Sequence, residues 1–261
     1  MRVAAAGDNC IDVYAAQGRS YPGGNAVNVA VYLRRLGVDS SYVGAVGDDA
    51  HGDLLRRALE GKGVDTSHLH VAPGSTALTQ ISVVDGNRVF GEHAEGVMEQ
   101  FRLTADDLDF LCGHDLVVTG IWGHTAPDLA TLKARGATIA FDYSDQAEDP
   151  VVEASLGDVD YAFFGLETDD GDDLRAFMRR AQARGPACVV VTLGARGSIA
   201  YDGAGFTLTA PVAGEVVDTM GAGDSYIAGF LTGVLDGRPL AECMARGAAS
   251  SAVTLTYPGA W

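Results

Sequence analysis

An aspartate follows three small residues in the segment 218–225, which reads DTMGAGDS. The small residues Gly221, Ala222 and Gly223 let consecutive backbone N–H groups turn toward one point at the start of a helix, which creates an anion site. Asp224 would repel a bound phosphate, so its position makes sense when a hydroxyl group lies between the two and loses its proton as it attacks. The alternative is a tight turn in which Asp224 only caps a helix.

A second glycine-rich segment, GGNAVN at 23–28, also opens a predicted helix. Asn25 and Asn28 are three residues apart, so they share one face of its first turn. Neutral amides suit a polyhydroxylated ligand because they offer hydrogen-bond donors and acceptors without charge. The alternative is an ordinary capped helix with Asn28 exposed.

A third segment, TLGARGS at 192–198, follows the apolar run 188–191. Ligands of open parallel sheets bind at the carboxyl ends of the strands, which is where this segment would lie. The alternative is a simple turn from a strand into a hairpin. The sequence has no GxxxxGK[ST] motif and no GxGxxG after its first apolar run, so P-loop and dinucleotide-binding folds are disfavoured.

Short β-branched runs alternate with amphipathic helical stretches, which indicates a mostly parallel sheet covered by helices. The predicted strands are 3–7, 42–47, 116–120, 138–142, 161–165 and 188–193, and the predicted helices are 24–36, 53–60, 174–184 and 223–235. Residues 11–15, 76–84 and 88–93 alternate apolar and polar side chains, and Asp85-Gly86-Asn87 predicts a hairpin turn. We expect these extra strands to form a small β-sheet that covers a cleft as a lid. A second hairpin is predicted over 198–210.

Length and composition limit the class of protein. The chain has 261 residues, of which 47% are hydrophobic and 20% are charged, as in ordinary globular proteins. The formal net charge of −17 argues against nucleic acid and anionic membranes as partners. No apolar run approaches the roughly 18–20 residues of a membrane span, and the first residues lack the apolar core of a signal peptide. We therefore expect a cytoplasmic protein.

Taken together and in this order, the three segments resemble the ribokinase-like (PfkB) family of carbohydrate kinases over essentially the whole chain. The resemblance implies one three-layer α/β/α domain over 1–261 with a small β-sheet lid from about 11–15 and 76–93. It implies phosphoryl transfer from ATP with Mg²⁺ to a small-molecule sugar, with Asp224 as catalytic base and the amides of Gly221, Ala222 and Gly223 as the anion hole. Because lid strands pair between subunits in many members, it also implies a homodimer.

The resemblance assigns further roles by position. Substrate-contacting positions are Asp12, Gly23, Gly24 and Asn28, and nucleotide-binding positions are Thr192, Gly194, Gly197 and Gly223. Asp218 falls where some members bind a monovalent cation such as K⁺. Arg88, beside the hairpin turn, either reaches over the substrate or is a solvated hairpin residue.

One motif of the family is altered. Members usually carry Asn-x-x-Glu near the end of a middle strand, where it organises Mg²⁺ and the phosphates. This chain has Leu166-Glu167-Thr168-Asp169 there, with Leu in place of Asn. We expect Glu167 or Asp169 to act on Mg²⁺ through water.

Shorter segments resemble the branch of the family that phosphorylates the 6-hydroxyl of fructosyl-amino acids. They are 7–10, 88–91, 95–98, 121–124, 141–145 and 259–261. Such a sugar-amine carries ammonium groups, which Asp142 and Asp145 could hold, although both could simply start a turn. Trp122 and His124 either line the sugar pocket or are a packed Trp and a surface His. Alternatives are a fructokinase, ribokinase or nucleoside kinase of the same family, or a non-catalytic sensor, which would have no need of Asp224.

Overall fold

The computed structural model describes the backbone of every residue except 85 and 86, and all side chains except those of 17 and 83–90. The described strands are β1 (Arg2–Ala6), β2 (Cys10–Tyr14), β3 (Arg19–Gly23), β4 (Asp39–Gly47), β5 (Asp65–Ala72), β6 (Leu78–Val84), β7 (Asn87–Ala94), β8 (Leu116–Gly120), β9 (Ile139–Asp142), β10 (Tyr161–Gly165), β11 (Cys188–Thr192), β12 (Ser198–Tyr201) and β13 (Phe206–Thr209). The described α-helices are α1 (Asn25–Arg35), α2 (Ala50–Gly61), α3 (Ala105–Cys112), α4 (Leu129–Ala134), α5 (Pro150–Ser155), α6 (Asp172–Gln182), α7 (Ala222–Leu235) and α8 (Leu240–Thr254).

The larger sheet has nine strands in the order β13-β12-β11-β10-β9-β8-β1-β4-β5. Strands β1, β4, β5 and β8 to β11 pair in parallel, and β12 and β13 continue the sheet as the antiparallel hairpin predicted over 198–210. Because the carboxyl ends of parallel strands lie at one edge, the segments after β1, β8, β9, β10 and β11 share that edge. The sheet therefore positions residues from distant parts of the chain side by side.

Two layers of helices cover the sheet, which confirms the three-layer α/β/α prediction. Alternate residues of each strand face opposite layers: Val3 and Ala5 pack with α1, α2, α7 and α8, whereas Ala4 and Ala6 pack with α3 to α6. All six predicted strands of the parallel part and all four predicted helices are present; 116–120 and 161–165 match at both ends, and the others differ at one or both ends. Strand β5 and helices α3, α4, α5 and α8 were not predicted.

The smaller sheet has the order β3-β2-β6-β7. Strand β2 pairs antiparallel with β3 and parallel with β6, and β6 pairs antiparallel with β7. Strands β2, β6 and β7 correspond to the predicted extra strands, whereas β3 was not predicted, because its sequence RSYPG does not alternate. The predicted hairpin turn falls on 85 and 86, outside the described residues. This sheet leads directly from β3 into α1, so its position is tied to the start of that helix.

Candidate active site

Asp224 lies in the first turn of α7, and its carboxylate connects two helices. Its Oδ1 accepts a hydrogen bond from Nδ2 of Asn25 and its Oδ2 accepts one from Nδ2 of Asn28, both at 2.7 Å. The segment that was predicted to open a sugar-binding helix and the segment predicted to carry the base therefore meet. Asn28, predicted to contact the sugar, holds Asp224 here, and its Oδ1 accepts from the indole of Trp261 at 2.7 Å.

Two more carboxylates complete this cluster, both from the carboxyl edge of the sheet. Asp8, after β1, accepts the backbone N–H of Asn25 at 2.8 Å and that of Ala26 at 3.4 Å. Asp142, at the end of β9, accepts from Asn25 Nδ2 at 2.7 Å and from the backbone N–H of Ser144 at 2.8 Å. One amide nitrogen, that of Asn25, is thus shared between Asp142 and Asp224.

Burial makes these carboxylates weaker acids than usual. It raises the pKa of Asp224 to about 7, the hydrogen bond from Asn28 lowers it, and the charge of Asp142 raises it further. Burial likewise raises the pKa of Asp142 to about 6, and it raises the pKa of Asp8 despite the backbone hydrogen bonds that lower it. A carboxylate with a pKa near neutrality is well matched to accept a proton at physiological pH and to release it again.

The predicted anion hole lies directly before Asp224. Gly221 has φ +71°, and a Cβ there would collide with the hydroxyl of Tyr32. Gly223 is exposed, and a Cβ there would meet nothing within 4 Å. The N–H of Ala222, predicted to belong to the anion hole, donates instead to the carbonyl of Thr219 at 3.2 Å. Within the described part of the chain, the backbone N–H groups of Gly223 and Asp224 have no hydrogen-bond acceptor. These amides are therefore open to an anion at the positive end of the helix dipole.

The four predicted nucleotide-binding positions border one cleft beside these amides. Thr192, Gly194, Gly197 and Gly223 lie along it, and its opposite wall is largely apolar, formed by Val212, Tyr226, Ala248, Ala252 and Leu255. Gly197 has φ +91°, and a Cβ there would collide with the carbonyl of Thr209, so this turn requires glycine. An apolar wall next to an open helix N-terminus suits a nucleotide, which has a flat base and an anionic phosphate chain.

The predicted substrate positions Asp12, Gly23 and Gly24 lie together at the base of the smaller sheet. Asp12 is buried on β2, and a Cβ on Gly23 would come within 2.9 Å of its Oδ2. Gly24 has φ +109°, and a Cβ there would lie 2.5 Å from the Cα of Asn9. These glycines let the backbone pass close to Asp8 and Asn9 and begin α1 next to the carboxylates. The side chain of Arg88, the remaining predicted position, lies outside the described residues.

The residues predicted to handle cations are spread over two places. The carboxylate of Asp218 accepts the backbone N–H groups of Met220 at 2.9 Å and Gly259 at 2.7 Å. Glu167 is exposed one residue after Leu166, whose N–H donates to the carbonyl of Thr192 beside the nucleotide cleft. Asp169 is also exposed and lies 3.4 Å from Nε of Arg196. Among the described residues, no group of three or more His, Cys, Asp or Glu side chains could hold a metal ion.

Four other residues were named from the sequence, and one of them, Asp142, belongs to the carboxylate cluster. Trp122 is 52% exposed, and His124 bonds the carboxylate of Glu95 at 2.7 Å. Asp145 is exposed, whereas Asp142 is half-buried and belongs to the carboxylate cluster. Of the two aspartates considered for an ammonium group, Asp142 is thus the one held next to Asp224.

Sequence patterns missed Asp8, Tyr32 and Trp261 as parts of the site. Asp8 had a usable signal, because it follows the end of a buried parallel strand. Tyr32 is a core position of α1, and nothing in the spacing marks its hydroxyl as the neighbour of Gly221. Trp261 is separated from Asn28 by 233 positions, so only the fold shows their contact.

Residues 3–261 match the pfkB family of carbohydrate kinases. The chain is 45% identical to the fructoselysine 6-kinase of Escherichia coli (strain K12) over 259 residues, which covers 99% of each protein. It is 32% identical to a fructosamine kinase of Bacillus subtilis (strain 168), covering 100% of this chain and 93% of that one. The structure of Arabidopsis thaliana ribokinase complexed with ribose and ATP has the same fold, with a TM-score of 0.87 at 21% identity, covering 99% of this chain and 93% of that one. Across the described residues, no helix is both long and apolar enough to span a membrane.

Proposed function

The chain belongs to the pfkB family of carbohydrate kinases, and from this premise we propose that it phosphorylates the 6-hydroxyl of a fructosyl-amino acid with Asp224 as general base. It is an ATP-dependent phosphotransferase that acts on a sugar hydroxyl. The observation that carries the mechanism is the place of Asp224, whose carboxylate lies at the start of α7 immediately beside open backbone amides.

The proposed reaction is one in-line displacement. Asp224 accepts the proton of the sugar hydroxyl, and the oxygen forms a bond to the γ-phosphorus while the bond from that phosphorus to the leaving oxygen of ADP breaks. The amides of Gly221, Gly223 and Asp224 offset the negative charge that develops on the moving phosphoryl group, whereas that of Ala222 is bonded to Thr219. The products are the sugar 6-phosphate, ADP and the proton on Asp224, which passes to solvent after release.

The choice of a fructosyl-amino acid rests on two observations. The first is the 45% identity to a fructoselysine 6-kinase over nearly the whole length of both proteins. The second is the chemistry of the carboxylate cluster, in which Asp8, Asp142 and Asp224 all accept hydrogen bonds from Asn25. A sugar that carries an ammonium group offsets the mutual repulsion of these carboxylates, whereas an unmodified sugar does not.

Mg²⁺ and K⁺ belong to the proposal as ions of the loaded enzyme. Mg²⁺ usually keeps several waters and binds through substrate phosphates, which fits a site without a preformed group of acidic ligands. Glu167, exposed beside the nucleotide cleft, would orient such waters, and Asp169 would do so only after leaving Arg196. Asp218 and the carbonyls around it would hold K⁺. Such ions neutralise phosphate charge.

We assign two further roles to the smaller sheet. Because it joins α1 next to the carboxylates, its closure over the bound sugar would exclude water and limit wasteful hydrolysis of ATP. Its two outer strands, β3 and β7, offer edges for pairing between subunits, so the proposal includes a homodimer, in the cytoplasm where ATP is supplied. Light scattering of the purified protein measures the dimer directly, and a monomer at micromolar concentration would contradict it.

The deciding experiment compares acceptors. ADP release is measured with fructoselysine, fructose, ribose and adenosine at fixed ATP and Mg²⁺, and the phosphorylated carbon is identified by ³¹P–¹H NMR. We expect kcat/KM for fructoselysine to exceed that for fructose by at least tenfold, about the worth of one well-placed ion pair of 1.4 kcal/mol. Activity only with unmodified sugars would overturn the substrate assignment and leave the kinase assignment in place.

A further inference from the structure

The segment 257–261 lies against the candidate active site and forms hydrogen bonds to it at three points. The N–H of Gly259 donates to Asp218 Oδ2 at 2.7 Å. The carbonyl of Ala260 accepts from the hydroxyl of Tyr32 and, at 3.3 Å, from that of Tyr257. The indole N–H of Trp261 donates to Asn28 Oδ1 at 2.7 Å. The segment therefore contacts both α1 and the loop before α7.

The bond from Trp261 decides which way the amide of Asn28 points. An indole nitrogen is a donor only, so it bonds the oxygen of the amide and not its nitrogen. With Oδ1 held by Trp261, Nδ2 of Asn28 faces Asp224 Oδ2 at 2.7 Å. A rotated amide would place its oxygen against the carboxylate and its N–H group against the indole N–H, and both contacts are repulsive. Since Asn28 is only 4% exposed, water offers little compensation for that arrangement.

We propose that Trp261 is a positioning residue for Asp224, acting through Asn28 to keep an N–H donor directed at the carboxylate that accepts the proton. This inference rests on the proposed role of Asp224 as general base. The indole of Trp261 bonds to Asn28, and Trp261 is not among the residues that line the nucleotide cleft. The indole fixes the amide, the amide stabilises the ionised carboxylate, and the carboxylate accepts the proton.

The charged and titratable groups around Asp224 determine how loss of the Trp261 indole would change the pKa of Asp224. Asp142 faces it from the end of β9, Asp8 from the loop after β1 and Tyr32 from α1. The two carboxylates raise the pKa of Asp224, and the hydrogen bonds from Asn28 and Asn25 lower it. Without the indole donor, only the carboxylate orients the Asn28 amide, so one of the two lowering contacts is held less firmly and the pKa of Asp224 rises.

The test is the pH dependence of kcat for Trp261→Phe, which keeps an aromatic ring and removes the donor. We expect the acidic limb to move up by about one pH unit, and kcat at pH 7 to fall about 5–10-fold, the worth of one hydrogen bond to a charged group. KM for ATP should stay within about twofold, because the nucleotide cleft is not touched.

In an Asn28→Ala background, Trp261→Phe should produce no further shift of the acidic limb. The matched control is Lys62→Met, which removes the ammonium 5.7 Å from the centre of the Trp261 ring and leaves the indole bond intact.

A second readout does not depend on turnover. The chain has two tryptophans, so Trp122→Phe leaves Trp261 as the single source of tryptophan emission. The emission of the free protein should titrate with the same midpoint as the acidic limb of kcat/KM, which reports the free enzyme, and Asp224→Asn should abolish that transition. An unshifted limb in Trp261→Phe, or a fluorescence midpoint that survives Asp224→Asn, would overturn the positioning role. Retention of kcat by Asp224→Asn would instead overturn the base itself, so the two failures are distinguishable.

Discussion

The beginnings of α1 and α7 are built alike and used differently. Each helix follows a glycine with positive φ, Gly24 at +109° and Gly221 at +71°. At α1 the first backbone N–H groups are already bonded by the carboxylate of Asp8, a residue of the protein itself. At α7 the N–H groups of Gly223 and Asp224 have no acceptor within the described chain.

This difference separates a helix end whose N–H groups are bonded by the protein itself from one whose N–H groups are open to the phosphate that we propose binds there. Because Asp8 fills the end of α1, that helix presents only the neutral side-chain amides of Asn25 and Asn28 to the site. Those amides hold Asp224, which projects from the open end of α7. A carboxylate next to unfilled amides is unfavourable for anion binding alone, and it becomes useful when a hydroxyl stands between the carboxylate and a phosphate.

The largest effect should come from removing the base at the open helix end. Asp224→Asn should lower kcat by about 10²–10⁴-fold, the usual contribution of general base catalysis, while sugar binding measured by calorimetry is retained. The matched control is Asp173→Asn, an exposed acid in the first turn of α6, which should keep full activity. A near-normal kcat in Asp224→Asn would show that α7 serves only to bind phosphate.

The next effect distinguishes the two glycines of the open end. Gly221→Ala places a methyl group against the Tyr32 hydroxyl at positive φ, so it should lower both the melting temperature and kcat. Gly223→Ala has space for its methyl group in the free protein, but that space borders the nucleotide cleft. It should therefore keep the melting temperature and lower kcat/KM for ATP by about 10–100-fold, less than the loss of a whole oxyanion donor, because the methyl group hinders the approach of the phosphate while the N–H remains. An equal decrease in melting temperature in the two variants would contradict the prediction that only Gly221 is required for stability.

The corresponding glycine at the start of α1, where Asp8 bonds the N–H groups, should affect stability more than kcat. Gly24→Ala puts a methyl group 2.5 Å from the Cα of Asn9 at a φ that favours glycine, and we expect a loss of about 3 kcal/mol or more in unfolding free energy. Gly18→Ala also has positive φ but meets nothing within 4 Å, so its loss should be about 1 kcal/mol. Urea denaturation of both variants measures the difference. A Gly24→Ala protein as stable as Gly18→Ala would mean that the close approach at α1 relaxes freely.

The two helix ends also show how far sequence reasoning reaches. The segments GGNAVN and DTMGAGDS could be identified from their small residues and their position before helices. The parallel sheet could be predicted because short β-branched runs alternate with amphipathic helical stretches. Their mutual contact could not be predicted, because Asn28 and Asp224 are 196 positions apart and no spacing rule joins them. The same limit explains why Asn28 was predicted to contact only the sugar.

Other failures have local causes. Strand β3 reads RSYPG, which has no alternation, and α8 is rich in small residues that give no clear apolar face. Strand β5 carries His68 and His70 on the face toward α3, where both bond the buried carboxylate of Asp107, so polar residues occupy positions that a pattern would require to be apolar. In each case tertiary contacts determine the element, and composition alone does not indicate it.

The smallest expected effect concerns the carboxylates that lie between the two helix ends. In the folded protein burial raises the pKa of Asp142 from its ordinary value of 3.8 to about 6, so the folded state binds more protons than the unfolded chain between these values. Unfolding free energy should therefore decrease as pH rises through this window, by up to about 3 kcal/mol for this group.

Asp142→Asn removes that contribution, so the stability of this variant should change less between pH 4 and pH 7 than that of the wild type. Urea unfolding at both pH values measures this change, with Asp145→Asn as the matched substitution in the same loop. If Asp142→Asn had the same pH dependence as the wild type, the Asn25 amide of α1 would already compensate the charge of Asp142. The start of α1 would then stabilise the charges of the site as well as hold its residues in place.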